Sequence, residues 1–141
     1  MAAEAPKQQS PPLKYTVTHN RKPTHTHEEF IAWLVNTHLP LALPVLKKHG
    51  VLGYELFVTP PFLSTALAAE MAVFQPTWDV STTDCFIEYT IPDMQSMKDV
   101  VADPDWGVAT RDQDEWVEMS KSLVSLGFST SYLSGGEIVK K

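Results

Sequence analysis

The sequence predicts an α+β domain, a ferredoxin-like plait of order β-α-β-β-α-β, and three observations carry that expectation. Stretches that alternate apolar and polar residues at period two are interleaved with stretches of helical spacing. Apolar residues make up 43% of a 141-residue chain, enough to pack one core but hardly two. The elements run strand, helix, strand, a long connection, then strand, helix, strand. The expected limits are a mobile tail over 1–12, one domain over 13–134 and a second tail, or exchangeable arm, over 135–141.

"LKYTVTH" alternates cleanly, with Leu13, Tyr15, Val17 and His19 on one face, and reads as the first strand. "NRKPTH" is turn chemistry. Thr26, followed three residues later by Glu29, matches a capping box. Behind it Phe30, Trp33, Leu34, Thr37, His38 and Leu41 keep helical spacing for about three turns. "VLGYELFVT" is the second strand. "DCFIEYTI" is the third, with Cys85, Ile87, Tyr89 and Ile91 on its apolar face. Met94, Met97, Val100 and Val101 begin a second helical region, interrupted by "DPDWG". Trp116, Met119, Leu123 and Val124 resume it, with Gly127 as its C-cap. "FSTSYLS" then reads as the fourth strand. Both helices would lie on one face of the sheet. The open face needs a cover, and two copies placed face to face would close a dimeric α/β barrel. A homodimer is therefore expected.

The connection from Thr59 to Thr83 exceeds the roughly 12–15 residues beyond which loops are commonly functional or disordered. It is too apolar for disorder. Ser64 can cap a short helix running to Val73. Phe62, Leu63, Phe74 and Trp78 then form either a wall over a cavity, and so candidate substrate contacts, or a dimer contact.

A net charge of −6 argues against nucleic acid and anionic membrane surfaces as partners. The sequence shows no secretory signal pattern and no apolar run approaching the roughly 20 residues of a membrane span, so a soluble, cytoplasmic protein is expected. The single cysteine, Cys85, forms no internal disulfide and reads as a buried, inert thiol. His25 and His27 lack the four-residue spacing and the neighbouring carboxylates or thiols of a metal pair, so no metal is expected. His49, after two lysines, reads as an exposed cation at a helix end. Glu55 and Glu88 are either cavity bases or, more simply, surface or interface charges. Trp106 either closes one end of a pocket or anchors its turn to the core. No phosphate loop or serine-nucleophile elbow is present.

Arg21-Lys22-Pro23, Thr26 with Glu28-Glu29-Phe30, Trp33 and His38-Leu39-Pro40-Leu41 together resemble the EthD family of dimeric α/β barrels, and "DPDWGVATRDQDEW" resembles that family's segment before its second long helix. The likeness spans about residues 13–134 and is specific over about 20–41. "HTH" at 25–27 and the long 59–83 connection depart from it. Fold and dimer follow from the resemblance more firmly than chemistry does. It implies a fungal enzyme of aromatic polyketide metabolism that takes a flat phenolic substrate between sheet and helices without a cofactor. The options it implies are a decarboxylase of an anthrone or anthraquinone acid, a cofactor-free monooxygenase, and a polyketide cyclase or isomerase. A non-catalytic dimer that shields an aromatic intermediate is a further reading.

His38 is the residue on which an enzyme reading turns. Pro40 and Pro44 each remove an amide hydrogen, and Leu39 precedes a proline, so the helix is expected to stop or bend near His38. The ring would then feel both the negative end of a helix, which favours its charged form, and burial, which opposes it. A ring between those pulls suits proton transfer near neutrality; one that only caps free carbonyls at the kink is the structural alternative. Decarboxylation needs one such acid and a few donors to hold enolate charge, and it is the preferred enzyme reading. His19, at the end of the first strand, is its expected partner. Tyr15, on the same face, is a candidate substrate contact with Phe62, Phe74, Trp78 and Trp106.

Overall fold

The stretch that alternates apolar and polar side chains forms β1, Leu13–His19, one of the two inner strands of a four-stranded sheet. The structure is a computed structural model and describes residues 11–139. The tail expected over 1–12 lies almost wholly outside the described residues. The remaining sheet strands are β2, Gly53–Val58; β3, Cys85–Ile91; and β4, Val124–Phe128. Their spatial order is β2-β3-β1-β4, with every neighbouring pair antiparallel. This is the ferredoxin-like plait that the element order predicts. Tyr15 sits beside Tyr89 and Leu126, Val17 beside Ile87 and Val124, and His19 beside Cys85. These residues therefore share the helix-covered face. Cys85, Ile87, Tyr89 and Ile91 are all buried there, as their alternation predicts.

Between β1 and β2 the chain forms α1, His27–Trp33, a π-helical turn, Leu34–His38, and α2, Leu39–Lys48. Both halves of the expected capping box are present: the Glu29 amide donates to Thr26 Oγ1 at 3.1 Å, and the Thr26 amide donates to Glu29 Oε1 at 2.9 Å. Where a stop or bend was expected, near His38, the helix does not stop but widens into the π-helical turn. Leu39 is helical despite preceding a proline, and its amide donates to the Leu34 carbonyl. The widened turn takes up one extra residue where Pro40 would otherwise press on the preceding turn. That residue also rotates the helix beyond it. Thr37 and Leu41, expected on the inner stripe, are exposed, and Ala42, Val45 and Leu46 are buried instead. The merged helix, His27–Lys48, is long and apolar enough in composition to cross a membrane, against the expectation of no such run. In this fold its inner face packs Phe30, Trp33, Leu34, Val45 and Leu46 into the core with β3.

The long connection contains α3, Pro61–Phe74. It starts at Pro61, a proline preset for the first helical position, rather than at Ser64, and buries none of its residues. After β3 come α4, Met94–Ala102; α5, Pro104–Ala109; α6, Gln113–Trp116; and a 3₁₀ turn over Met119–Lys121. The second helical region, expected as two pieces interrupted at "DPDWG", is thus a series of shorter ones, and Pro104–Ala109 is itself helical. Leu123 and Val124 do not continue it, because Val124–Phe128 pairs with β1 as the fourth strand, and Gly127 lies within that strand rather than at a helix end. Pairing with β1 supplies the backbone hydrogen bonds of this stretch. "FSTSYLS", expected as the fourth strand, instead leads into a hairpin of β5, Leu133–Ser134, and β6, Glu137–Ile138.

Two polar networks fix the helix ends. Asp84, buried at the start of β3, accepts from the Arg21 amide and guanidinium and pairs with His27 Nδ1 at 2.8 Å. Burial raises its carboxyl pKa, but the bonds from Arg21 and His27 more than offset this and hold it below the usual carboxylate range. Asp103, also buried, accepts from Lys48 Nζ at 2.9 Å, pairs with His49 Nε2 at 2.8 Å and caps α5 through the Asp105 amide. His49 is therefore a partly buried tie between helices rather than an exposed cation.

Candidate active site

Where β1, β3 and β4 face the π-helical turn, α4 and α5, a cavity of about 250 Å³ opens between sheet and helices. Tyr15, Val17, His19, Ile87, Tyr89 and Val124 form its sheet wall, and His38, Met97, Val101 and Trp106 its helix wall. Gln113, Met119 and Ser122 line it from the segment before β4. The period-two face of β1 and the π-helical turn thus bring His19, His38 and Tyr15 to one chamber, with Trp106 beside them.

His38 is 6% exposed. The π-helical turn leaves its ring stacked near Trp33, at a centroid distance of 5.5 Å, and edge-on to Trp106 at 5.9 Å. Its Nδ1 lies 3.0 Å from the Ala109 carbonyl. A carbonyl only accepts, so Nδ1 carries the hydrogen, and in the neutral ring Nε2 is the free base. Burial lowers the His38 pKa; the bond to Ala109 and the charge of Asp112 oppose this without reversing it. The expected helix-end field is missing, because the helix runs ten residues further, through Lys48. The net direction therefore favours the uncharged ring.

His19 Nδ1 lies 3.0 Å from Ser122 Oγ. A hydroxyl donates or accepts, so this bond admits either tautomer. Burial, then the proximity of His38, lowers the His19 pKa to about 4, against a smaller raising effect of the backbone bond at Thr18. Tyr15 and Tyr89 are tilted against each other at 5.7 Å. Cys85 is fully buried, and burial above all raises its thiol pKa to about 12, which leaves it inert.

The other expected contacts lie elsewhere. Phe62 borders a separate groove of about 530 Å³ beside His27, Ile31 and Val35. Phe74 and Trp78 are exposed on and after α3, and neither lines the histidine cavity. Glu88 pairs with Lys14 on the opposite sheet face, where Glu55 is its neighbour. His25 stacks on Trp116 and bonds the Glu115 carbonyl, while His27 is held by Asp84. No group of three potential metal ligands occurs among the described residues. Gln113, Met119 and Ser122 were not legible as site residues, because their segment reads as helix and no local signal turns it toward β1.

The EthD domain family matches residues 22–120, and the chain belongs to it. It is 37% identical over 126 residues to "Dehydratase iacD" of Pestalotiopsis fici, covering 89% of this chain and 91% of that one. It is 24% identical over 127 residues to a "Putative oxygenase" of Aspergillus terreus, covering 90% and 79%. A solved dimeric protein of unknown function and ferredoxin-like fold from Bacteroides fragilis superposes with a TM-score of 0.55 at 12% identity, covering 83% of this chain and 95% of that one.

Proposed function

We propose that this protein is a cofactor-independent lyase that removes water from a hydroxylated, partly reduced ring of a fused aromatic ketone of polyketide type. One observation carries the reading: two imidazoles held neutral share an apolar cavity whose lining contains no lysine or arginine. Such a chamber suits a neutral hydroxyketone and leaves a carboxylate without a counter-charge. For that reason dehydration ranks ahead of the decarboxylation that the sequence suggested. The name of the P. fici relative supports the same class of reaction.

In this reading His38 Nε2 takes the proton from the carbon beside the ketone. The C–H electron pair moves into an enolate. His19, its Nδ1 accepting from Ser122, offers Nε2–H to the enolate oxygen, with the Tyr15 hydroxyl as a second donor. A neutral imidazole is a competent electrophile for a developing enolate. The enolate then expels the β-hydroxyl, and the imidazolium of His38 gives that oxygen the proton it took. Water leaves, His38 returns to its neutral form, and the resulting enone tautomerises to the phenol, a proton leaving the adjacent ring CH2 and one joining the ketone oxygen, which makes the ring aromatic. At about 250 Å³ the cavity falls just under the roughly 300–1,000 Å³ of ordinary ligand pockets, which favours a compact fused skeleton. Trp106 and Tyr15 would flank it. The protein acts as a homodimer, a state supported by the uncovered sheet face and β4.

A β-hydroxytetralone is the simplest probe. The protein should convert it to the naphthol, read by absorbance, with neither carbon dioxide release nor oxygen uptake. Carbon dioxide from an anthrone carboxylic acid, with the tetralone untouched, would restore decarboxylation. Oxygen uptake would point to the oxygenase named among the relatives.

A further inference from the structure

The two features by which this sequence departs from the EthD pattern, "HTH" at 25–27 and the long 59–83 connection, meet in space. His27, at the start of α1, and Pro60 and Phe62, at the start of α3, line one groove of about 530 Å³, with Ile31, Val35 and Val58 as its main apolar lining. None of these residues lines the histidine cavity of about 250 Å³. The groove has the size of an ordinary ligand pocket, roughly 300–1,000 Å³. His27 is 5% exposed, and its ring is held by one nitrogen only. Asp84 Oδ1 lies 2.8 Å from Nδ1, while Arg21 bonds both oxygens of the same carboxyl, through its guanidinium and its amide. These bonds keep Asp84 ionised. A carboxylate only accepts, so Nδ1 of His27 carries the hydrogen and, in the uncharged ring, Nε2 is an acceptor. Nε2 has no hydrogen-bond partner among the described residues. It is also not sealed in, since the only fully buried side-chain polar atom without a partner among those residues is the Tyr54 hydroxyl. Buried polar groups are ordinarily paired, and the groove is the side from which a partner for Nε2 can come.

We propose that this groove is a second ligand site, separate from the histidine cavity, and that it takes a flat, uncharged phenol whose hydroxyl donates to His27 Nε2 while its ring lies on Ile31, Val35, Val58 and Phe62. Three features choose this occupant. A single buried acceptor with its hydrogen fixed on the far nitrogen calls for a single donor. The lining holds Glu28 but no lysine or arginine, so a carboxylate or phosphate would find a like charge and no counter-charge. The walls are aliphatic with one aromatic ring, at Phe62, and such walls suit a planar ring. The phenolic product of the proposed reaction belongs to this class, but the chemistry of the groove stands without that reaction. The groove binds and positions; no bond is made or broken there.

The full chain, isotope-labelled at its histidine nitrogens, is titrated by magnetic resonance with naphthol and with naphthol methyl ether, which keeps the rings and loses the donor. Naphthol should move the His27 ring resonances to saturation. The ether should bind there at least about tenfold more weakly, because it leaves the acceptor unpaired. Replacing His27 would leave Asp84 short of a partner and threaten the fold, so two exposed positions of the groove are changed instead. Phe62→Ser removes its aromatic wall and Ala32→Phe fills it from α1. Each should weaken the His27 response at least about tenfold, with the circular dichroism spectrum unchanged. His19 and His38 report the other cavity in the same spectra, and the His27 response should persist in His38→Ala. Naphthol that moves only His19 and His38, an ether that binds as tightly as naphthol, or a response that survives both groove substitutions would overturn the proposal. A fall in sedimenting mass on Phe62→Ser would overturn it too, by making a second copy the occupant, as would flotation with phosphatidylcholine vesicles that Phe62→Ser abolishes. Should the tetralone not be dehydrated while the His27 response holds, the catalytic reading fails and this one stands.

Discussion

One carbonyl decides which nitrogen of His38 carries the hydrogen. The bond to Ala109 fixes its tautomer, and burial keeps the ring uncharged. Replacing it with alanine should reduce turnover of the tetralone by at least about 100-fold, the usual range for a lost general base, with the circular dichroism spectrum unchanged. Full activity in that variant would remove His38 from the mechanism. Tyr54 offers a different test. Its hydroxyl is buried with no hydrogen-bond partner among the described residues, and it lies outside the histidine cavity. An unmade buried hydrogen bond costs about 1–3 kcal/mol. Tyr54→Phe should therefore leave stability unchanged or raise it by up to about 1 kcal/mol, measured by urea denaturation. A clear loss would reveal a partner for that hydroxyl.

The first helix is where local signals speak most clearly and also where they mislead. Thr26 and Glu29 announce its start, and both capping bonds are there. Thr26→Ala should lower stability by about 1 kcal/mol, the usual effect of losing such a cap, seen as a lower melting temperature. The same rules place a stop or bend near His38, and the helix runs on through an irregular turn there. Proline and pre-proline preferences count only the local chain, whereas Ala42, Val45 and Leu46 are held against the sheet by packing. A π-helical turn reconciles the two. Phe30, Trp33, Leu34 and His38 of the inner stripe are legible in the spacing; Thr37, within that turn, faces out, and beyond the turn the stripe is offset by one residue, from Leu41 to Ala42. β4 failed for a related reason. Leu123 and Val124 fit a helical stripe as well as a strand, and only pairing with β1, more than a hundred residues away in sequence, decides between them. Gln113, Met119 and Ser122 were hidden along with it.

Across the whole molecule, burial of two uncharged imidazoles ties stability to pH. An unfolded histidine titrates near 6.5 and folded His19 near 4, so between those values the unfolded chain binds more protons. The stabilisation is complete above about 6.5 and is lost as the pH falls toward 4. His19 alone accounts for at most roughly 3 kcal/mol at 1.36 kcal/mol per unit, and lowering of the His38 pKa adds to the same trend. Denaturant midpoints should hold steady from pH 8 to about 6.5 and decline below it. A flat profile down to pH 4 would mean that the rings are not buried neutral. Turnover should show an acid limb of the same sign, since only an unprotonated His38 removes a proton.

Asp103 does not line the histidine cavity, yet it holds the end of α2, through Lys48 and His49, to the first turn of α5. The far end of α5 is Ala109, whose carbonyl sets the hydrogen on His38. Loosening this clasp would let α5 drift and blur which nitrogen of the ring is basic. A search for altered turnover by random mutagenesis should therefore gather changes at Asp103, Lys48 and His49, and inheritance of the reaction would be traceable through a joint that no substrate ever meets.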